Sequence, residues 1–177
     1  MGKFDGVLLV SDFDDTLYDS HHQVPERNRR ALDYFRSQGG RFTVATGRAR
    51  RTFAPYVHLA PINAPVILSN GSAIYDFQQD RFLVQTYLDP RAPQDMTALA
   101  ADIPEIGFEA YHNEDIYVHN FNSVTAGHMK KVGTGYTACP IDHMPTPWTT
   151  TCSSGPGPGC WTAVPAGMRR CSPTPTT

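Results

Sequence analysis

Three short apolar runs near the start constrain the fold more than anything else in this sequence: VLLV at residues 7–10, FTVA at 42–45 and PVIL at 65–68. Each is too short for a stable helix and favours an extended backbone, so each reads as a strand. Between the first two, VPERNRRALDYFRSQG places Ala31, Leu32 and Phe35 on one helical stripe and keeps Arg29, Arg30, Asp33 and Arg36 off it, with Gly39 and Gly40 as a stop. RARRTFAPYVHLA, between the second and third, reads as another helix. Strand and helix alternating from residue 6 to about 76 predict a doubly wound α/β core around a parallel sheet, with the first strand buried.

Residues 82 to about 133 have a different rhythm. RFLVQTYL reads as a strand, PRAPQDMTALAADIPE as a helix, GFEAYHN and DIYVHNF as an antiparallel pair joined through Glu114, and SVTAGHMKKVG as a further helix. That order predicts an α+β lobe and not a continuation of the parallel sheet. From Pro145 onward 11 of 33 residues are Pro or Gly, and no acidic residue follows Asp142, so the composition predicts a disordered tail. The expected division is residues 1–80, 81–145 and 146–177. The abrupt change of texture between Pro145 and Thr150 suggests a shifted reading frame or a mispredicted gene end.

Charge and composition exclude several classes of function. A formal net charge of -2 leaves no electrostatic footprint for nucleic acid or for an acidic membrane surface. No apolar run approaches the roughly 18 residues of a membrane span, and the apolar stretch of MGKFDGVLLVSDFDD is too short for a secretory signal, which predicts a cytoplasmic protein. Cys139, Cys152, Cys160 and Cys171 match neither a zinc-knuckle nor a redox spacing.

The acidic residues that end the first strand carry the chemistry. In VLLVSDFDDTLYDS, Asp12, Asp14, Asp15 and Asp19 crowd one loop at a strand's carboxyl end, where open α/β sheets bind their ligands. Two carboxylates a residue apart are tolerated when a divalent cation lies between them, and hard oxygen donors suit Mg²⁺. Asp12 could then attack phosphorus as a nucleophile while Asp14 serves as general acid and base. A calcium loop is excluded by Leu17 at the turn position and Gln23 at the twelfth. Asp15 and Asp19 read better as turn residues.

Thr46 follows Asp12 by 34 residues, a span suited to one strand–helix–strand unit, so the two strand ends can be neighbours. Its hydroxyl and the amides of Gly47 and Arg48 could bind a phosphate oxygen, with Arg48 adding a charge-assisted contact. Taken alone, ATGR is better explained by Thr46 capping the next helix and by solvated arginines.

DFDDTL, VATGR and ILSNGSAIYD, in that order, resemble the haloacid dehalogenase-like (HAD) hydrolases, and among them the Cof-like branch, subfamily IIB, with its large α/β cap. The resemblance covers residues 6 to roughly 145. It implies a Rossmann-like parallel core over residues 1–80 and a partial cap over 81–145. It also implies that Asp12 is the nucleophile forming an aspartyl-phosphate and that Asp14 is the acid/base whose backbone carbonyl ligates Mg²⁺. Thr16 would fix the loop, Thr46 would orient the phosphate, and Asn70 with Gly71 would line the site. Asp15 departs from the pattern, since Gly is common there.

Members of this family also carry a bridging Lys and a Gly-Asp stretch after the cap. Here the only lysines are Lys3, Lys130 and Lys131, and no Gly-Asp dipeptide occurs. Lys130 and Lys131 read as a solvated helix pair. The sequence thus predicts a Mg²⁺-dependent phosphatase site for a small phosphorylated metabolite (sugar phosphate, nucleotide or cofactor phosphate), impaired by the missing motifs. A catalytically silent phosphate- or metal-binding fragment is the alternative. A receiver-type phospho-acceptor domain ranks low, because neither VATG nor ILSNG supplies its second acid.

Overall fold

The computed structural model describes residues 2–21, 23–154, 160–164 and 167–170, and the chain divides into two compact units, Met1–Gln85 and Thr86–Thr177. In the first unit β1 (Leu8–Asp12) pairs in parallel with β2 (Arg41–Ala45), and β2 pairs in parallel with β3 (Val66–Leu68). The chain then reverses: β4 (Ala73–Asp76) runs antiparallel to β3, and β5 (Arg81–Gln85) runs antiparallel to β4. The strand order is therefore β1-β2-β3-β4-β5.

Helix α1 (Glu26–Ser37) forms where the apolar stripe predicts it. Leu32 is buried, Phe35 packs against the core beside it, and the chain leaves the helix through Gly39 at φ 89°, a left-handed conformation that favours glycine. The helix expected after β2 is only one α turn, α2 (Arg50–Phe53), followed by 3₁₀ turns over Ala54–Leu59. Pro55 lacks the N–H that a continuing α-helix needs, so the tighter winding takes over. Phe13, Phe42, Val44, Phe53, Val66 and Leu68 make the centre of this unit's core, each fully buried.

Two expectations differ from the structure here. The first strand is not buried: among the described residues β1 has a neighbour on one side only, and Val7, Leu8, Leu9 and Val10 are 41–55% exposed. An apolar run announces a strand but not whether both of its edges are occupied. The segment RFLVQ, read as part of the second lobe, instead closes the first sheet as β5, because the turn at Phe77–Asp80 folds it back locally. Asp76 supports that turn by accepting from the N–H groups of Gln78 and Gln79.

The second unit contains α3 (Ala92–Asp102), β6 (Gly107–His112), β7 (Asp115–His119), α4 (Ser123–Val132), β8 (Thr137–Ala138), β9 (Thr150–Ser154), β10 (Cys160–Val164) and β11 (Gly167–Arg170). Its sheet order is β11-β10-β9-β6-β7-β8, antiparallel except for the parallel β7–β8 pair. Asn113 and Glu114, both at positive φ, form the two-residue reversal between β6 and β7. On one face of the sheet Phe108 and Ala110 pack with Met96, Ile141, Met144 and Trp148. Ile116 and Val118 meet Met129 of α4 in a separate cluster. Asn122 caps α4 by accepting from the N–H groups of Val124 and Thr125, and Gly133 at φ 67° ends it.

The stretch read as a tail from residue 146 begins inside the fold. Trp148 is 2% exposed and its indole N–H donates to the Pro145 carbonyl, while Thr149, Thr150 and Thr151 are buried and β9 pairs along β6. Three successive β-branched threonines favour an extended backbone, a signal that counting Pro and Gly over the whole segment conceals. Residues 155–159, 165–166 and 171–177 of that stretch lie outside the described residues. No described helix is long and apolar enough to cross a membrane.

Candidate active site

Strand alternation builds the first element of the site. Asp12 ends β1 opposite Ala45 of β2 with its side chain exposed, Phe13 turns inward and is fully buried, and Asp14 comes out again partly exposed. Phe13 thus anchors the loop between the two carboxylates, with Phe53 edge-on at 5.0 Å and Tyr18 stacked at 5.0 Å. Its carbonyl accepts from the N–H groups of both Leu17 and Tyr18, tightening the turn that follows. Thr16 is exposed within that turn, and Asp15 sits at φ 58°. Asp19 is a turn residue, accepting from the N–H groups of His21 and Gln23.

The loops after β2 and β3 lie against this one. Thr46 is buried; its hydroxyl donates to Asp14 Oδ2 at 3.2 Å and accepts from the Arg48 N–H at 3.1 Å. The Ser69 N–H donates to the Arg48 carbonyl and the Asn70 N–H to the Thr46 carbonyl, which ties the second loop to the third. Asn70 and Gly71 take φ 56° and 93°, and a Cβ on Gly47 would lie 3.0 Å from Asn70 Oδ1. Glycine at position 47 is what lets the Asn70 side chain come that close, and it leaves the Gly47 backbone exposed.

Arg48 has a partner that the sequence expectation did not name. Its Nε donates to both Asp14 oxygens at 3.0 Å and its Nη2 to Oδ1 at 2.7 Å, a forked ion pair. The guanidinium also lies over the Tyr56 ring, 4.4 Å from its centroid, with the Phe13 ring at 5.9 Å. Burial by itself pulls the Arg48 pKa down, but the hydrogen bond and charge of Asp14, with Tyr56, more than offset this and raise it above the ordinary value. Arg48 is thus a fixed cation engaged with Asp14, and its amide is already bonded to Thr46.

Asp12, Asp14, Thr46, Gly47, Arg48, Asn70 and Gly71 therefore fall on three adjacent loops of one unit, with Thr46 and Arg48 in direct contact with Asp14. Tyr56 is the residue that sequence reasoning missed. It follows the Pro55 irregularity, where no helical period says which way its ring points. Lys130 is exposed on α4, in the other unit. Among the described residues no group of three or more His, Cys, Asp or Glu is placed to hold a metal ion.

The family model for haloacid dehalogenase-like hydrolases matches residues 9–141. A Mycoplasma pneumoniae protein described as "Putative phosphatase" is 29% identical over 109 residues, which are 62% of this chain and 38% of that protein. In structure the chain is similar to BT1666 of Bacteroides thetaiotaomicron, one of the phosphatases of the HAD superfamily, with TM-score 0.70 and 19% identity over 86% of this chain and 57% of that one. It is also similar to BT4131, a sugar phosphatase of HAD subclass IIB, with TM-score 0.66 and 14% identity over 83% of this chain and 58% of that one. The chain thus spans well under half of the curated relative and somewhat more than half of these solved structures.

Proposed function

The chain belongs to the haloacid dehalogenase-like hydrolase family, and on that footing we propose that its three-loop site is built for phosphoryl transfer from a small cytoplasmic phosphomonoester such as a sugar phosphate, a nucleotide or a cofactor phosphate. In this reading the Asp12 carboxylate attacks phosphorus, and the bond to the leaving oxygen breaks as Asp14 gives that oxygen a proton. Asp14 then takes a proton from the water that hydrolyses the aspartyl-phosphate on Asp12. The supporting observation is that Asp12 ends β1 exposed, while Asp14 beside it is held by Thr46 and Arg48. Thr46 and the exposed Gly47 backbone are the candidate phosphate contacts, with Asn70 and Gly71 lining the loop.

The donors fit Mg²⁺, which is commonly held by one or two carboxylates together with substrate phosphate and water. Asp12 would hold it through its carboxylate and Asp14 through its backbone carbonyl. Bound there, it would neutralise charge on the phosphoryl oxygens.

A second reading is favoured by the lysine inventory. Lys3, Lys130 and Lys131 are the only lysines, and no Gly-Asp dipeptide occurs in the sequence, so these 177 residues could bind phosphate or metal without useful turnover. Loss of one preorganised electrostatic partner typically costs roughly 10²–10³ in rate. The experiment is hydrolysis of an aryl phosphate with Mg²⁺, comparing the chain with Asp12→Asn. Residual turnover that disappears in the variant is expected. Equal rates in the two proteins would remove Asp12 from the nucleophile's role, and robust turnover would overturn the expectation of impairment.

A further inference from the structure

We propose that Arg48 positions Asp14 and does not serve as a phosphate ligand, and that Tyr56 is the residue that fixes Arg48 in that task. The inference rests on the phosphoryl-transfer reading only for what Asp14 does. Its geometric content stands separately.

Three features converge on it. The fork is complete on one side of the guanidinium: Nε and Nη2 both donate to Asp14, and Nη1 faces the Thr52 carbonyl at 3.5 Å. Nε–H is thus spent on Asp14, as is one N–H of Nη2, so the edge of the guanidinium that forks is turned to the carboxylate. The guanidinium carbon also lies over the Tyr56 ring, 4.4 Å from its centroid. Tyr56 is itself held by Tyr18, edge-on at 5.4 Å, and by Phe13, edge-on at 5.9 Å. Phe13 is fully buried and precedes Asp14 in the chain, so the residue that anchors the carboxylate loop also anchors the ring under the arginine. Thr46 closes the arrangement: its hydroxyl accepts from the Arg48 N–H and donates a hydrogen bond to Asp14.

This arrangement restricts Asp14 in a way a lysine could not reproduce. A point charge on a flexible stem neutralises a carboxylate but does not orient its plane, whereas a stacked, forked guanidinium does both. An acid/base must keep one oxygen directed at the leaving group, and orientation of that kind is lost when the fork slackens.

The test is solution NMR on the full chain, following the Arg48 Nε–Hε signal and, separately, the Gly47 amide during titration with inorganic phosphate in the presence of Mg²⁺. Tyr56→Phe keeps the ring and should leave Hε solvent exchange within about twofold of the parent, while Tyr56→Leu removes the cation–π contact and should speed it roughly tenfold. Asp14→Asn should speed it at least as much. Phosphate affinity read at Gly47 should change by less than about threefold in Arg48→Lys and Tyr56→Leu, since neither alters a ligand of the anion. Unchanged Hε exchange in Tyr56→Leu would overturn the role of Tyr56. A phosphate affinity at least tenfold weaker in Arg48→Lys would make Arg48 a phosphate ligand and overturn the proposal. If no phosphate response occurs at Gly47 in any of the proteins, the phosphoryl-transfer reading fails, and the exchange data still decide whether the Arg48–Tyr56 unit holds Asp14.

Discussion

Replacing His128 by Ala should destabilise the second unit through a carboxylate that the mutation never touches. Glu109 lies in the middle of β6 with its side chain 2% exposed, and its Oε2 accepts from His128 Nδ1 at 2.7 Å and from the Tyr111 hydroxyl at 3.1 Å. Burial, then the neighbouring Glu109 charge, push the Tyr111 hydroxyl far above its ordinary pKa, so it remains a neutral donor. In His128→Ala the carboxylate keeps that phenol and loses its closest partner. Removing one member of a buried pair costs about 3–5 kcal/mol, and because the His128 side chain is 39% exposed, water can replace part of the lost contact, so about 2–3 kcal/mol is expected. Adding Glu109→Gln removes the uncompensated charge and should return all but about 1 kcal/mol of the loss. The four proteins of this cycle are compared by urea unfolding, with tryptophan fluorescence to which Trp148 contributes from the core beneath β6. A loss below about 0.5 kcal/mol in His128→Ala, or a double variant no more stable than the single one, would refute the idea that His128 compensates a buried charge.

Leu8→Lys, on the free edge of β1 at 55% exposure, should reduce self-association in sedimentation without moving the urea midpoint, because lysine blunts an open strand edge; unfolding of the variant would mean that Leu8 is a core residue. Gly47→Ala brings a Cβ to 3.0 Å from Asn70 Oδ1 and should cost about 1 kcal/mol, most of it recovered by adding Asn70→Ala, whereas a neutral Gly47→Ala would show that the two loops are not packed together. Burial lowers the His119 pKa, with Asp142 opposing, so on acidification the unfolded chain takes up the proton first. Stability should therefore fall as pH drops below about 6.5, and His119→Gln should flatten that slope in urea midpoints; an unchanged slope would assign it to other groups.

Much of this molecule was legible before any coordinates. The α1 stripe, the strands around residues 42–45 and 66–68, the β6–β7 pair with its turn at Glu114 and the helix from Ser123 all follow from local signals: side-chain periodicity, β-branching, caps and turn residues. The motif triple pointed to the family because loops at strand ends keep their chemistry in sequence order. Pairing and contact between distant segments lay beyond such signals. Whether VLLV is covered depends on what lies beside it, and only the sheet order shows β1 with one neighbour. The threonines at 149–151 became buried because β6 offered them a partner, which composition cannot report. The clearest case is Arg48. Its sequence neighbours suggest an anion site and say nothing of Asp14, 34 residues upstream, or of Tyr56, in an irregular turn beyond Pro55; which partners a charged side chain meets is decided by what the fold brings within reach.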